Sequence, residues 1–383
     1  MNRKVILPGQ TIGIIGGGQL GRMMALSAKA MGYRIAVLDP NPDSPCGQVA
    51  DHKIIAPYNS GQAMEELAAI CDVVTFEFEN IDENALELAA NRTWVPQGVQ
   101  LLSIAKDRIK EKNAIMEAGL PVAPYKSAST TNELAEAVKE IGFPCVVKTA
   151  RGGYDGKGQL VLKSDREIET AAELLKHGSC VVEKWVSFKK EISVIAARNS
   201  SGETAVFPVA ENIHKNNILH QTIVPARIGN EAREQAMQLA VRLADALEMV
   251  GTLAVEMFLM GDGSIFINEI APRPHNSGHF TIEACETSQF AQHIKAVCNL
   301  PLGKTELLRP VVMVNVLGEH QEPLLAKLPE LRNWNVHLYG KNEAKAGRKM
   351  GHATLIRDSA DQALLEIEES GIWTLNSMSA IGK

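Results

Sequence analysis

The sequence contains no cysteine pair motif, no long apolar run and no surplus of positive charge, and each absence argues against a class of protein. The six cysteines lie far apart, and no C-x-x-C motif occurs, which argues against a disulfide framework and a zinc site. No apolar run reaches the roughly 18 residues of a membrane span. The formal net charge of −6 argues against a general nucleic-acid-binding protein, although an anionic ligand can still bind in a local basic pocket.

The composition is otherwise that of an ordinary globular protein. The 383 residues are 45% hydrophobic and 22% charged, which predicts two or three domains with substantial cores. The stretch MNRKVILPGQTIGIIGGG is too short and too rich in glycine for a signal peptide. We therefore expect a soluble cytoplasmic protein that binds neither membrane nor nucleic acid.

The order of segments predicts an α/β fold. In the first hundred residues, the apolar stretches TIGIIG, YRIAVLD and DVVTFEF alternate with helical stretches such as QLGRMMALSAKAMG, a pattern typical of a parallel sheet with crossover helices. A second α/β unit follows, with strands predicted at CVVKTA, GQLVLK and CVVEKWV. From RPVVMVNVLG onward, short apolar runs with glycine and basic residues indicate a small appendage made mostly of β-strands.

Two glycine-rich segments are candidates for phosphate binding. The first, GGGQLG at residues 16–21, follows an apolar strand and opens a helix, and Asp39 ends the next strand. These features match most of the dinucleotide-binding fingerprint, in which a helix N-terminus binds phosphate and an acid binds ribose. The motif predicts a dinucleotide, as in an NAD-dependent dehydrogenase, or a single phosphate of another ligand, or only a tight turn.

The second segment is RGGYDGKGQ at residues 151–159, which differs from a P-loop because no hydroxyl residue follows Lys157. Lys148 ends the preceding apolar strand, where its ammonium group can reach phosphate oxygens. The alternative is a hairpin tip with both lysines in solvent. The later segment CVVEKWV favours a nucleotide, because its glutamate, lysine and tryptophan suit an adenine edge and ribose hydroxyls. Glu191 follows it as a second candidate ribose acceptor.

A pair of acids is predicted in TLAVEMFLMGDGSIFINEIAPRP. Asp262–Gly263 between two apolar runs is typical of a two-residue type I′ hairpin turn, and that turn places Glu256 directly opposite Glu269. Facing carboxylates destabilise a strand pair unless something neutralises them. A hard cation such as Mg²⁺, bound to nucleotide phosphates, would do so. The alternatives are an Arg or Lys that bridges the acids, or a register that differs by one residue.

These features together resemble the ATP-grasp superfamily. The motifs GGGQLGRM, TFEFEN, RGGYDGKGQ, NEIAPRPHNSGH and GRKMGH, in this order and spacing, resemble the 5-(carboxyamino)imidazole ribonucleotide synthetases of bacterial and fungal purine biosynthesis. The resemblance covers nearly the whole chain. It implies a Rossmann-like domain at residues 1–105, an ATP-grasp domain at residues 106–300 and a small C-terminal β domain at residues 301–383.

The resemblance also implies an activity. These synthetases carboxylate the exocyclic amine of 5-aminoimidazole ribonucleotide with bicarbonate, ATP and Mg²⁺, through carboxyphosphate, and they are commonly homodimers. Other hypotheses remain: a related ligase that joins formate or another carboxylate to a ribonucleotide amine, the dehydrogenase, and a nucleotide-binding regulator without catalysis. The two acids and Lys148 argue against the last two hypotheses, since neither needs a magnesium-bound triphosphate.

The matching motifs also imply roles for individual residues. Contacts to ATP are implied at the glycine loop, the EKWV segment and several single positions: Arg108, Lys148, Gly153, Tyr154, Asp155, Gly156, Lys157, Gly158, Gln159, Glu183, Lys184, Trp185, Val186, Glu191, His214, Asn268 and Glu269. Magnesium would be held by Glu256 and Glu269. Contacts to the ribonucleotide and bicarbonate are implied at both ends of the chain and in the PRPHNSGH loop: Gln19, Leu20, Glu79, Arg273, Asn276, Ser277, His279, Arg348 and Lys349.

Four residues are implied to take part in the chemistry: Tyr154, Asp155, Lys157 and Lys349. The glycine loop would close as a lid over the phosphates and bring Tyr154 and Asp155 to the acceptor amine. Asp155 is the candidate proton acceptor, and the alternative is an ordinary turn aspartate. Arg108 stands where relatives often have lysine, and Lys157 where many have arginine. Both changes keep a positive charge, but they alter its contact geometry.

Overall fold

The first part of the chain forms a parallel α/β unit. The computed structural model describes residues 4–153 and 157–373. Its first elements are β1 (Thr11–Ile15), α1 (Gln19–Ala30), β2 (Arg34–Leu38), β3 (His52–Ile54), α2 (Gly61–Ile70), β4 (Val73–Phe76), α3 (Glu83–Ala90) and α4 (Gly98–Ala105). All strand pairs are parallel, in the order β3-β2-β1-β4. The predicted alternation of strands and helices is confirmed, and the carboxyl ends of β1 and β4 lie side by side.

The second unit is a four-stranded antiparallel sheet with helices. Its elements are α5 (Arg108–Glu117), β5 (Tyr125–Ala128), α6 (Thr131–Ile141), β6 (Cys145–Thr149), β7 (Gln159–Leu162), α7 (Ile168–Ala172) and β8 (Cys180–Lys184). The strands pair in the order β5-β8-β6-β7. Strands β6 and β7 flank the glycine loop, so that Lys148 pairs with Gln159.

The remaining strands form one large sheet. Its elements are β9 (Lys190–Arg198), β10 (Thr204–Val206), β11 (Ala210–Lys215), β12 (Ile218–Val224), α8 (Asn230–Ala246), β13 (Gly251–Leu259), β14 (Ile265–Ala271), α9 (Thr281–Ala284), α10 (Gln289–Val297), β15 (Val311–Leu317), α11 (Gly318–Lys327), β16 (Asn335–Leu338), β17 (Lys349–Ile356) and α12 (Ala360–Glu369). The order is β14-β13-β9-β11-β12-β15-β17-β16, with β10 beside β9. The predicted C-terminal strands therefore continue the central sheet through the β12–β15 pair.

The hairpin between β13 and β14 differs from the prediction in its turn. Met260 N–H donates to the Ser264 carbonyl, so the loop has three residues, Gly261 to Gly263, and the predicted two-residue turn is wrong. A β-bulge at Asn268, opposite the step from Glu256 to Met257, then shifts the register by one. Because a bulge inserts one extra residue into a strand, it restores the predicted pairing of Glu256 with Glu269.

The N-terminal unit packs firmly on the rest of the chain. Apolar residues of β1 and α1 share one buried cluster with Phe290, Ile294 and Val297 of α10. A second cluster places α8 against β9, β13 and β14. This packing holds the glycine turn after β1 close to the loop after β14. Among the described residues, no helix combines the length and apolar character required to span a membrane.

Candidate active site

Two carboxylates face each other on the β13–β14 hairpin. Arg108 Nη1 lies 3.1 Å from Glu269 Oε2, and His275 Nε2 lies 3.5 Å from Glu256 Oε1. Burial, followed by the charge of Glu269, raises the pKa of Glu256 to about 8. Burial also acts to raise the pKa of Glu269, but Arg108 and Lys148 outweigh it and lower that pKa to about 2. One carboxylate of the pair therefore carries the charge while the other holds a proton at neutral pH.

Asn268 adds an oxygen donor beside these acids. It occupies the bulge between the paired residues Ile267 and Glu269, and its Oδ1 is buried without a hydrogen-bond partner. Carboxylate and amide oxygens are ligands that suit Mg²⁺. In residues 4–153 and 157–373, no group of three or more His, Cys, Asp and Glu side chains is arranged to hold a metal. A magnesium ion here would need the amide oxygen or nucleotide phosphates as well as the acids.

A buried cluster of charges lies between the acid pair and the EKWV segment. Glu183 Oε2 lies 3.1 Å from Lys148 Nζ and 3.4 Å from Lys112 Nζ. Burial lowers the pKa of Lys148. Burial opposes the ionisation of Glu183, but Lys148 and Lys112 lower its pKa overall. Glu183 Oε1 remains buried without a partner, so this carboxylate can accept a hydrogen bond from a bound ligand.

Lys112 is a residue that the sequence reasoning missed. Only 1% of it is exposed, and its ammonium group lies 5.7 Å from the centre of the Tyr125 ring. A lysine rarely becomes so buried without a partner, and Glu183 is that partner. The helical segment RIKEKNAIME gives no signal of it, because the lysines there alternate with other polar residues.

The predicted adenine and ribose contacts lie at the end of β8 and on β9 and β11. Trp185 is 44% exposed, Lys184 is exposed and Val186 is half-buried. The backbone N–H of Trp185 donates to the Pro144 carbonyl. His214 Nδ1 contacts Glu191 Oε2. Burial opposes protonation of His214, but Glu191 raises its pKa overall.

The PRPHNSGH loop brings polar side chains toward the acids. Arg273 Nε lies 2.8 Å from Glu79 Oε1, so two residues predicted to contact substrate hold each other across the units. Asn276 is 6% exposed, and neither its Nδ2 nor its Oδ1 has a hydrogen-bond partner. An amide buried with both atoms unsatisfied is costly. Asn276 is therefore suited to bind a polar ligand.

His275, in the same loop, is a second residue that the sequence reasoning missed. Its Nδ1 lies 2.9 Å from Ser277 Oγ and accepts the Ser277 N–H at 3.3 Å. Ser277 Oγ contacts Ser193 Oγ, which in turn accepts from Asn212 Nδ2, both at 2.9 Å. Burial lowers the pKa of His275 to about 3. Because Nδ1 accepts, the neutral ring carries its proton on Nε2, which faces Glu256.

Two other predicted residues form the fully buried part of this loop. Ser277 is fully buried and belongs to the hydrogen-bond chain that links His275 to Ser193 and Asn212. His279 is also fully buried, packs 4.6 Å from the His352 ring and has an Nε2 without a partner. Both side chains therefore anchor the loop in the protein interior.

The segment before β17 contacts the N-terminus of α1. Lys341 Nζ donates to Gln19 Oε1 at 2.6 Å and to the Lys349 carbonyl at 2.7 Å. Burial, followed by the charge of Arg348, lowers the pKa of Lys341 to about 8. Arg348 is exposed and Lys349 is half-buried. Leu20 packs on the N-terminal cluster. Sequence reasoning missed Lys341, although it precedes the GRKMGH motif by only a few residues.

Part of the glycine loop is also described. Gly153 and Gly158 are half-buried, whereas Lys157 and Gln159 are exposed. Gly158 has φ +72°, and a Cβ there would lie 2.7 Å from Thr149 Oγ1, so glycine is required for conformation and for space. Tyr154, Asp155 and Gly156 lie outside the described residues.

Three domain families match the chain in sequence. Residues 9–106 match the ribonucleotide synthetase preATP-grasp domain, residues 113–290 the ATP-grasp domain, and residues 311–366 the phosphoribosylaminoimidazole carboxylase C-terminal domain. The chain is 56% identical over 368 residues to the N5-carboxyaminoimidazole ribonucleotide synthase of Bacillus subtilis, covering 96% of this chain and 97% of that one. It belongs to this family. The family assignment also removes the dehydrogenase hypothesis for the GGGQLG turn.

Solved structures of the family agree in fold. An N5-carboxyaminoimidazole ribonucleotide synthetase in complex with ADP has a TM-score of 0.95 and 58% identity, covering 98% of this chain and 99% of that one. The synthase of Aspergillus clavatus in complex with ADP and 5-aminoimidazole ribonucleotide has a TM-score of 0.87 and 33% identity. The match covers 94% of this chain and 97% of that one. The predicted α/β class and the three-part architecture are thus confirmed, while the domain boundaries stay predictions.

Proposed function

We propose that this chain is an ATP-grasp ligase of purine biosynthesis. It carboxylates the amine of 5-aminoimidazole ribonucleotide with bicarbonate and forms 5-(carboxyamino)imidazole ribonucleotide, ADP and phosphate. The observation that carries the proposal is the facing pair Glu256 and Glu269, with Arg108 beside it in a chain of this family. Facing acids beside buried cations suit a site where phosphoryl charge must be held and moved.

ATP binds between Trp185 and the acid pair in this proposal. The partnerless Oε1 of Glu183 is available to the adenine amine, and the Glu191–His214 pair lies where ribose hydroxyls would bind. Lys148 stabilises the phosphoryl oxygens, because a buried ammonium group strengthens its interaction with developing negative charge. Mg²⁺ held by Glu256, Glu269 and Asn268 would supply further charge neutralisation at the phosphates.

Activation of bicarbonate is the first chemical task. Bicarbonate is a poor electrophile, and attack of its oxygen on the γ-phosphorus of ATP gives carboxyphosphate and ADP. Carboxyphosphate breaks down to phosphate and CO₂, and the carbon must reach the acceptor amine before water converts it back to bicarbonate. Arg273, Asn276 and Lys349 lie where they can hold the anions between nucleotide and acceptor. The lid, from Gly153 to Gln159, would close over them and exclude water.

The acceptor ribonucleotide binds on the side of α1. Its phosphate would bind at Gln19 and Leu20, close to Lys341 and Arg348, because a helix N-terminus and cations both attract an anion. Glu79, held by Arg273, would orient the aminoimidazole. Asp155 would take the proton that the amine loses as its nitrogen bonds to carbon.

We also propose a cytoplasmic homodimer. All six cysteines are free and buried, as suits a reducing compartment, and the family resemblance supports the dimer. Light scattering on the purified chain tests its mass in solution.

The reaction is tested by measuring phosphate release from ATP with each substrate omitted in turn. We expect release to require both 5-aminoimidazole ribonucleotide and bicarbonate, with carboxylated product formed at an equal rate. Formate in place of bicarbonate should give no product. Turnover with formate but not with bicarbonate would instead identify the related formate-joining ligase.

A further inference from the structure

Glu77 occupies the glycine turn that the sequence marks as a phosphate site. It directly follows β4, beside the carboxyl end of β1. Its Oε2 accepts the N–H of Gly21 at 2.6 Å, and its Oε1 accepts the N–H of Gly18. Burial raises the pKa of this carboxyl, and the two N–H groups oppose that rise. In the Rossmann fingerprint, these N–H groups at the helix N-terminus bind pyrophosphate.

The glycines themselves are explained by this carboxylate. A Cβ at Gly18 would lie 2.6 Å from Glu77 Oε1, and a Cβ at Gly16 would overlap the same side chain. Glycine allows a close approach because it has no Cβ. The approaching group at Gly16 and Gly18 is thus part of the protein. The fingerprint is satisfied without a dinucleotide.

The acid that would bind ribose in a dinucleotide fold is also engaged. Asp39 Oδ2 accepts the Gly17 N–H and the Tyr58 hydroxyl, both at 2.6 Å. Its Oδ1 accepts the Asn41 N–H at 2.8 Å. Both carboxylate oxygens of Asp39 are therefore hydrogen-bonded within the protein, and the residue is only 8% exposed.

Only two donors of the turn remain. Among the described residues, the N–H groups of Gln19 and Leu20 meet no acceptor. The Gln19 side chain is held by Lys341. A phosphate monoester needs few donors, whereas a pyrophosphate spans the whole turn, so the remaining donors suit the smaller anion.

We propose that Glu77 is a specificity-determining and positioning residue, whose carboxylate fills the pyrophosphate seat of the glycine turn and leaves Gln19 and Leu20 for one phosphate monoester. This inference rests on the proposed function for the identity of that monoester. Glu77 acts through the backbone of the turn, which it fixes relative to Lys341. It makes no contact with ATP in this proposal.

The test compares Glu77→Ala, which removes the side chain from the glycine turn, with Glu77→Gln, which keeps a side chain of the same size there but without its charge. Asp72→Asn is the matched control, because Asp72 also accepts a backbone N–H, that of Thr11, but at the opposite end of β1. Steady-state kinetics give KM for 5-aminoimidazole ribonucleotide and for ATP. Calorimetric titration with inorganic pyrophosphate, without magnesium, counts sites per chain.

We expect both Glu77 variants to raise KM for 5-aminoimidazole ribonucleotide at least about tenfold, while KM for ATP and kcat change less than about threefold. Glu77→Ala should gain one pyrophosphate site relative to wild type, and Glu77→Gln and the control should gain none. An unchanged ribonucleotide KM, equal rises in both KM values, or no added pyrophosphate site would each overturn the inference. A wild-type protein without ribonucleotide-dependent turnover would refute the proposed function instead. The pyrophosphate titration would still show whether Glu77 blocks pyrophosphate binding at the glycine turn.

Discussion

Metal binding at the acid pair should depend steeply on pH. Glu256 has a pKa of about 8 because it is buried beside Glu269, and a metal ion needs the ionised carboxylate. Folding leaves this acid with a raised pKa, so its ionised fraction falls as the pH drops below 8. Proton and metal therefore compete for the same oxygen atoms.

The magnitude follows from that pKa. A group of pKa about 8 is about three-quarters ionised at pH 8.5 and about 3% ionised at pH 6.5. The apparent affinity for a divalent ion should therefore fall about 25-fold between these two values. Mn²⁺ is a suitable probe, because it takes the same oxygen ligands as Mg²⁺ and its free form is measured by electron paramagnetic resonance.

Glu256→Gln is the control, since the amide does not titrate. Its Mn²⁺ affinity should be low and nearly constant over this range. Glu111 also has a pKa of about 8 through burial and accepts the Ile270 N–H at 2.6 Å, so it is the other group able to act here. Affinity in the wild type that does not change with pH, or a Glu256→Gln variant that keeps the full dependence, would refute the reasoning.

Three other changes separate the roles of single residues. Glu269→Gln should abolish turnover and leave the circular dichroism spectrum unchanged, because it removes a proposed magnesium ligand whose side chain is only partly buried. Asp262→Asn, at the exposed tip of the same hairpin, should have no effect. Normal activity of Glu269→Gln at low magnesium would contradict the proposed role. Asp155→Asn should bind ATP normally but form carboxylated product at least about a hundredfold more slowly. Phosphate release should then be faster than product formation. A wild-type product yield would instead show that Asp155 is an ordinary turn aspartate. Ser193→Ala should break the hydrogen-bond chain to His275 and lower kcat about tenfold or more, with KM for ATP unchanged. Ser193→Thr keeps the hydroxyl and should retain part of the rate. Equal losses of kcat in the two variants would favour a packing role for Ser193.

The local features of the fold could be predicted from the sequence. Alternating apolar and helical segments predict the parallel N-terminal unit, because side-chain periodicity is a local property of strands and helices. The pairing of Glu256 with Glu269 agrees with the prediction only because the bulge at Asn268 offsets the error in the predicted turn. The turn itself was not predictable: its three-residue loop and the compensating bulge at Asn268 depend on how two long strands twist against their neighbours.

Contacts between distant segments were decided only by the tertiary structure. Glu77 reaches Gly18 from 59 positions away, and Lys341 reaches Gln19 across 322 positions. A glutamate after a strand and a lysine before a basic motif carry no local mark of such partners, because packing of whole units brings them together. The same holds for His275, whose ring is oriented by serines from a separate strand and from its own loop. The sequence by itself therefore determined which chemical groups are present, and the packing of the three sheets determined which of them meet.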